Sequence, residues 1–196
     1  MESPRSNNSK DKGLGWKSLL IWILIAVLLR WQVIEPRWIP SGSMLPTLQI
    51  NERLLVEKVS PKLNNFFSAH PQRESIVVFK APKRLVEAGY ESNQALIKRV
   101  VGVAGDTIQI HNGHLIRNDI EIDEPWIMEE IKYEMEVITV PDNSIWVLGD
   151  NRNNSLDSHL WGALPVKNLV GTAVLRYWPI KKIEFIRFPT SQKNDY

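Results

Sequence analysis

The chain has 196 residues, with 24 Lys plus Arg against 22 Asp plus Glu, no cysteine, 12 Pro, 10 Gly and 8 Trp, and 43% of its residues are apolar. That length suits one ordinary domain, alone or with an appendage. A net charge of +2 supplies no general basic field for a nucleic-acid backbone, and the lack of cysteine excludes disulfide frameworks, thiol nucleophiles and cysteine-ligated metal sites.

Residues 1–17 carry Arg5, Lys10, Lys12 and Lys17 against Glu2 and Asp11 among Ser, Asn and Gly, and read as a disordered basic tail. Residues 18–29 hold no charge, and apolar character resumes past Arg30 until Glu35-Pro36 stops any helix. The 19 positions from Trp16 to Ile34 approach the length of a spanning helix, so residues 18–34 are predicted as a transmembrane anchor. A buried core helix is the competing reading. Arg30 lies where its stem reaches the headgroups, and Trp16, Trp31 and Trp38 suit the interfaces. No small-x-small site follows Leu29, which argues against a cleaved signal peptide. The positive-inside rule keeps the tail cytoplasmic and sends residues 35–196 across the membrane as a nearly neutral domain.

From residue 50 onward the pattern predicts short strands over 54–59, 75–80, 95–103, 107–110, 144–148 and 171–178, without long helical periodicity. Asn112-Gly113 between two apolar runs predicts a hairpin, and Asn118-Asp119 a second turn. The expected fold is mainly antiparallel β, with longer loops at 61–72 and 83–93. His111 and His114 flank the hairpin turn, but no third metal ligand stands near, so a solvated cross-strand pair is expected. Residues 119–136 hold Asp119, Glu121, Asp123, Glu124, Glu129, Glu130, Glu134 and Glu136 against Lys132, without calcium-loop spacing, and read as a solvated acidic face.

Three segments could carry chemistry. In Ile39-Pro40-Ser41-Gly42-Ser43-Met44-Leu45-Pro46-Thr47-Leu48 two hydroxyls stand two residues apart, so that an extended chain would project both to one side, one as nucleophile and one as oxyanion donor. In Leu96-Ile97-Lys98-Arg99-Val100-Val101 a lysine interrupts an apolar strand. Alternation puts Lys98 on the face of Leu96 and Val100, where desolvation can make it a general base; an edge lysine that blocks strand pairing is the alternative. Residues 149–162, rich in hydrogen-bonding side chains after a buried strand, can orient neighbouring groups or form a capped polar loop.

Together the segments resemble a known family. Ser41-Gly42-Ser43-Met44-Leu45-Pro46-Thr47, Lys98-Arg99-Val100-Val101-Gly102 with Gly105-Asp106, and Gly149-Asp150-Asn151-Arg152 with Asn154-Ser155, Asp157-Ser158 and Trp161-Gly162 are similar to the signature boxes of type I signal peptidases, in the same order and after a membrane anchor. Glu57-Lys58 and Ile76-Val77-Val78-Phe79 are weaker matches. The resemblance implies a signal-peptidase-type antiparallel β catalytic domain over 35–196, with a small inserted β subdomain at about 111–140, preceded by one N-terminal transmembrane helix. It implies a membrane-bound serine endopeptidase that removes signal peptides from exported preproteins after small-x-small sites, without metal or cofactor and as a monomer. Ser43 is then the nucleophile and Lys98 the general base. Ser41 and the Ser43 amide form the oxyanion hole, Ser155 orients the lysine amine, and Arg99, Asp150, Arg152 and Asp157 support the site, with Asp150 facing Arg99. The expected place is the cell (inner) membrane, single-pass, with a thylakoid or other organellar membrane as the alternative. Lysine rather than histidine at position 98 matches the bacterial or organellar branch. The chain departs from the family's pattern at Asn153, His159, Ala104 and Arg73-Glu74-Ser75. Two other readings are a Ser-His-Asp hydrolase with His159 as base and a non-catalytic membrane-tethered binding module.

Overall fold

The computed structural model describes residues 12–58 and 71–186, which fall into two units, Met1–Ile34 and Glu35–Tyr196. Residues 1–11 of the expected tail and 61–70 of the expected loop lie outside the described residues.

In the first unit a 22-residue helix, α1 (Lys12–Val33), begins six residues before the predicted anchor and includes both Lys12 and Lys17. Its apolar side chains are exposed, among them Trp16, Leu19, Ile21, Trp22 and Leu24. Among the described residues no helix is long and apolar enough to cross a membrane. The anchor predicted over 18–34 is helical up to Val33. Pro36 does not introduce a loop: the chain passes directly into strand β1 (Ile34–Trp38), because proline and the residue before it both favour extended backbone.

The second unit is built on two sheets. Its strands in chain order are β2 (Arg53–Glu57), β3 (Ile76–Lys80), β4 (Ala95–Val103), β5 (Thr107–His111), β6 (His114–Arg117), β7 (Ile120–Glu121), β8 (Met135–Thr139), β9 (Ser144–Leu148), β10 (Leu164–Pro165), β11 (Leu169–Trp178) and β12 (Glu184–Phe185). The larger sheet runs β1-β2-β11-β3-β4-β9-β10, with β12 on β11, and the smaller runs β7-β6-β5-β8. The pairs from β2 to β10 are antiparallel, as the alternation of short strands and turns predicts.

Strands β3 and β4 are buried on both faces, which is why they read as unbroken apolar runs. Ile76, Val78 and Ile97 face a cluster with Ile39, Met44, Leu48 and Leu54, while Val77, Phe79 and Val100 face one with Ile145, Val147 and Trp161. A third cluster joins Val101, Trp146 and Leu148 to Ile108, Ile110 and Leu115 of the smaller sheet. β4 lies between β3 and β9, but β9 pairs with it only from Arg99 to Val103; Lys98 stands just before that stretch and is buried, which does not suit a solvated edge lysine that blocks strand pairing.

Both predicted turns use left-handed backbone, with φ of 48° and 82° at Asn112 and Gly113 and 53° and 62° at Asn118 and Asp119. The smaller sheet starts at Thr107, before the expected boundary at 111, because β5 pairs with both β6 and β8. Two local readings need correction. The loop predicted at 83–93 contains a one-turn helix, α2 (Lys83–Glu87), started after Pro82 and fixed by buried Leu85. The acidic stretch is solvated except at Glu124, which is buried, and its end forms the unpredicted β8.

Candidate active site

The segment after β1 is a turn rather than an extended strand. Leu45 N donates to the Gly42 carbonyl at 3.2 Å and Leu48 N to the Met44 carbonyl at 2.9 Å. Ile39, Met44 and Leu48 are fully buried and pin the turn to the first core cluster, which leaves Ser41 and Ser43 on its open side. Their hydroxyls lie 3.4 Å apart, so the expected pairing arises through the turn. Thr47 is held from behind, its carbonyl accepting from Arg176 Nη1 at 3.1 Å and its hydroxyl from Arg99 Nη2 at 3.4 Å.

Lys98 comes from the middle of β4. It pairs with Val77 of β3, and β9 ends at Leu148, opposite Arg99. The lysine therefore sits where the polar loop after β9 begins. Its Nζ is 2.6 Å from Ser43 Oγ, and the residue is only 3% exposed. Burial pushes the ammonium down from 10.5 to about 8, against the opposing pull of the Asp157 and Asp150 carboxylates.

Arg99, on the opposite face of β4, forms a bidentate pair with Asp150, Nε to Oδ1 at 2.8 Å and Nη2 to Oδ2 at 2.7 Å. Its third nitrogen donates to the Glu74 carbonyl at 2.8 Å, and its guanidinium lies 4.4 Å from the Trp126 ring centroid. Arg152 is similarly enclosed: Nη1 and Nη2 donate to the Glu124 carboxylate at 2.6 and 2.5 Å, and Nε to the Gly149 carbonyl at 3.0 Å. Asp157 accepts from Gly149 N at 2.9 Å and caps the one-turn helix α3 (Ser158–Trp161). Its other oxygen lies 2.7 Å from His159 Nδ1, and the imidazole stacks on Tyr133 with centroids 4.2 Å apart. His159 is thus engaged with Asp157 and Tyr133, and the side chain hydrogen-bonded to the Ser43 hydroxyl from across the cleft is Lys98.

Ser155 departs from expectation. Its hydroxyl is buried without a hydrogen-bond partner among the described residues, so no bond joins it to Lys98. It packs instead against Gly149, where a Cβ would stand 2.2 Å from Ser155 Oγ and 2.5 Å from the Ser43 carbonyl oxygen. Only glycine permits that approach.

A cleft of about 560 Å³ opens over these groups, lined by Ser41, Ser43, Lys98, Asn151 and the β4 segment from Ala95 to Ile97. No group of three or more metal-ligating side chains occurs among the described residues. His111 and His114 pair across the hairpin and face Glu134 and Glu121 at 3.1 and 3.3 Å, at the exposed end of the smaller sheet.

Sequence reasoning did not single out Asn151, Glu124 or Trp126. Asn151 binds the serine segment through its backbone and its side chain. Glu124 was hidden in an acidic run, although a buried Arg152 needs a carboxylate from somewhere.

The family described as "Signal peptidase, peptidase S26" matches residues 15–178. The chain is 45% identical over 170 residues, 87% of its length, to a probable thylakoidal processing peptidase 2, chloroplastic, of Arabidopsis thaliana, and spans 45% of that protein. It spans 54% of the thylakoidal processing peptidase 1 of the same plant, or about half the length of these two relatives. It is 44% identical over 164 residues to a probable signal peptidase I-1 of Synechocystis sp., covering 84% of this chain and 81% of that protein. A signal peptidase I crystal structure from Enterococcus faecalis shares 25% identity and a TM-score of 0.45, over 53% of this chain and 96% of the other. The extent of the family match and the relatives at this identity agree: the chain belongs to the signal peptidase family, peptidase S26.

Proposed function

We propose that the chain is a membrane-tethered serine endopeptidase that removes N-terminal signal peptides from exported preproteins after small-x-small sites. The observation that carries this reading is the 2.6 Å contact between Ser43 Oγ and a lysine amine that burial brings down to about 8. Neutral Lys98 takes the Ser43 proton as Oγ attacks the scissile carbonyl, whose oxygen becomes an oxyanion facing the Ser41 hydroxyl and the Ser43 N–H. The lysine then gives that proton to the departing amine, the C–N bond breaks, and the acyl group stays on Ser43. A water molecule, deprotonated by the same amine, attacks the ester and frees the serine. Arg99 with Asp150, Arg152 with Glu124, and Asp157 act in this reading as supports that hold both segments in place.

The extended substrate lies in the cleft along residues 95–97, where main-chain pairing to β4 gives affinity. Attachment of the catalytic unit, residues 35–196, through α1 belongs to the same proposal, supported by the exposed apolar side chains of residues 16–27 and the basic residues before them. The tail then stays cytoplasmic and the serine faces the opposite side, near the emerging signal peptide.

The test is to incubate the detergent-solubilised full chain with a preprotein and map the cut by mass spectrometry. Cleavage after a small-x-small site, lost in both Ser43→Ala and Lys98→Ala and kept in His159→Ala, is expected. Loss in His159→Ala with activity kept in Lys98→Ala would favour the Ser-His-Asp reading.

A further inference from the structure

One residue ties the serine segment to the loop after β9. Asn151 donates twice: its backbone N–H to the Ser43 carbonyl at 3.1 Å, and its side-chain Nδ2 to the Gly42 carbonyl at 3.1 Å, between residues 109 positions apart. Its Oδ1 accepts from Asn154 Nδ2 at 3.4 Å, which sets the amide with its NH₂ toward Gly42. The Gly42–Ser43 peptide is trans and planar, so its C=O and N–H point in opposite directions. Holding the Gly42 oxygen toward Asn151 therefore decides where the Ser43 N–H points. That N–H has no acceptor among the described residues, and residues 41, 42, 43 and 151 all line the same cleft.

We propose that Asn151 is a positioning residue of the oxyanion hole, whose side-chain amide fixes the Gly42–Ser43 peptide plane and so aims the Ser43 N–H at the developing oxyanion. This rests on Ser43 and Lys98 acting as nucleophile and base. The Leu45 N–H also reaches the Gly42 oxygen, but along the same turn; among the described residues only Asn151 ties that oxygen to a different part of the fold. Its own backbone bond to the Ser43 carbonyl survives side-chain substitution, so Asn151→Ala loses the bond to the Gly42 carbonyl and, behind it, the 3.4 Å contact with Asn154.

The experiment is steady-state cleavage of a preprotein by the full chain in detergent, across pH, for wild type, Asn151→Ala and Asn151→Asp. Asn151→Ala should lose about 10-fold to 10²-fold in kcat, with KM within about two-fold and the pH midpoint of kcat/KM unchanged. Asn151→Asp keeps the size but offers an acceptor where a donor is needed, and should lose as much on the alkaline plateau. It also decides the matter if the alanine variant fails to fold. Wild-type kcat in either variant overturns the proposal. So does a loss confined to KM, which would mark a substrate contact, or one explained by a shifted pH midpoint, which would mark an effect through Lys98. A wild type that does not cut, or a Ser43→Ala variant that still cuts, overturns the nucleophile assignment together with this inference. Normal cleavage by wild type, none by Ser43→Ala and full activity in Asn151→Ala would remove this inference alone.

Discussion

Replacing Lys98 by methionine should make the protein more stable at neutral pH. The unfolded lysine titrates near 10.5 and the folded one at about 8, so between these values the unfolded chain binds more protons and stability rises with pH. The stability tied to the neutral amine is complete above 10.5 and is lost as pH falls through about 8. At pH 7 both states are protonated, and the gap corresponds to about 3 kcal/mol of cost for holding the ammonium in the core. Methionine fills similar volume without charge and gives up only the bond to Ser43 Oγ, worth about 1 kcal/mol. The variant should therefore gain about 2 kcal/mol at pH 7 and lose that advantage at pH 10.5. Urea denaturation of both proteins at the two pH values, followed by tryptophan fluorescence, measures the difference. If Lys98→Met is less stable than wild type by the same amount at both pH values, the ammonium carries no burial cost, and a depressed lysine is not the base.

Three further outcomes follow from the contacts around the site. Ser41→Ala should lower kcat by about 10²-fold with little change in KM, whereas Ser41→Thr keeps a hydroxyl and should lose less; preprotein cleavage kinetics compare the two. Glu124→Gln leaves the buried Arg152 guanidinium without its counter-charge and should cost about 3 kcal/mol or more in denaturant unfolding. Gly149→Ala places a methyl group against the Ser43 carbonyl and Ser155 Oγ, and should lower kcat by about 10²-fold or more, read in the same cleavage assay.

Local signals carried most of the strand pattern. The run from Ala95 to Val103 and the hairpin around Asn112-Gly113 depend on side-chain alternation and left-handed turns, both of which are properties of neighbouring residues. Lys98 was visible because a charge inside an apolar strand needs an explanation. Pairing order was not legible: whether β4 is central or at an edge depends on β3 and β9, which no local pattern specifies. Helix α2 is a single turn, too short for a 3.6-residue period to show. In β8 three of five residues are exposed and the other two half-buried, at the rim of a small sheet beside acidic neighbours, so its alternation is weak. Glu124 and Asn151 act only through partners far along the chain, Arg152 for one and Gly42 for the other, and their residue types alone do not distinguish them from a solvated acid and a turn asparagine. The role expected for Ser155 came from resemblance, and its hydroxyl faces Gly149 without a bond to the lysine.

The pairing of Ser43 with a lysine that burial lowers to about 8 is tested most directly by the pH dependence of kcat/KM for preprotein cleavage, which reports the free enzyme's base. With a value of about 8, about a tenth of the lysine is neutral at pH 7, against about 0.03% for an ordinary lysine. The account predicts a rise in kcat/KM with a midpoint near 8, absent in Lys98→Arg because a guanidinium keeps its proton. A midpoint near 10.5, or appreciable cleavage by Lys98→Arg, would contradict it.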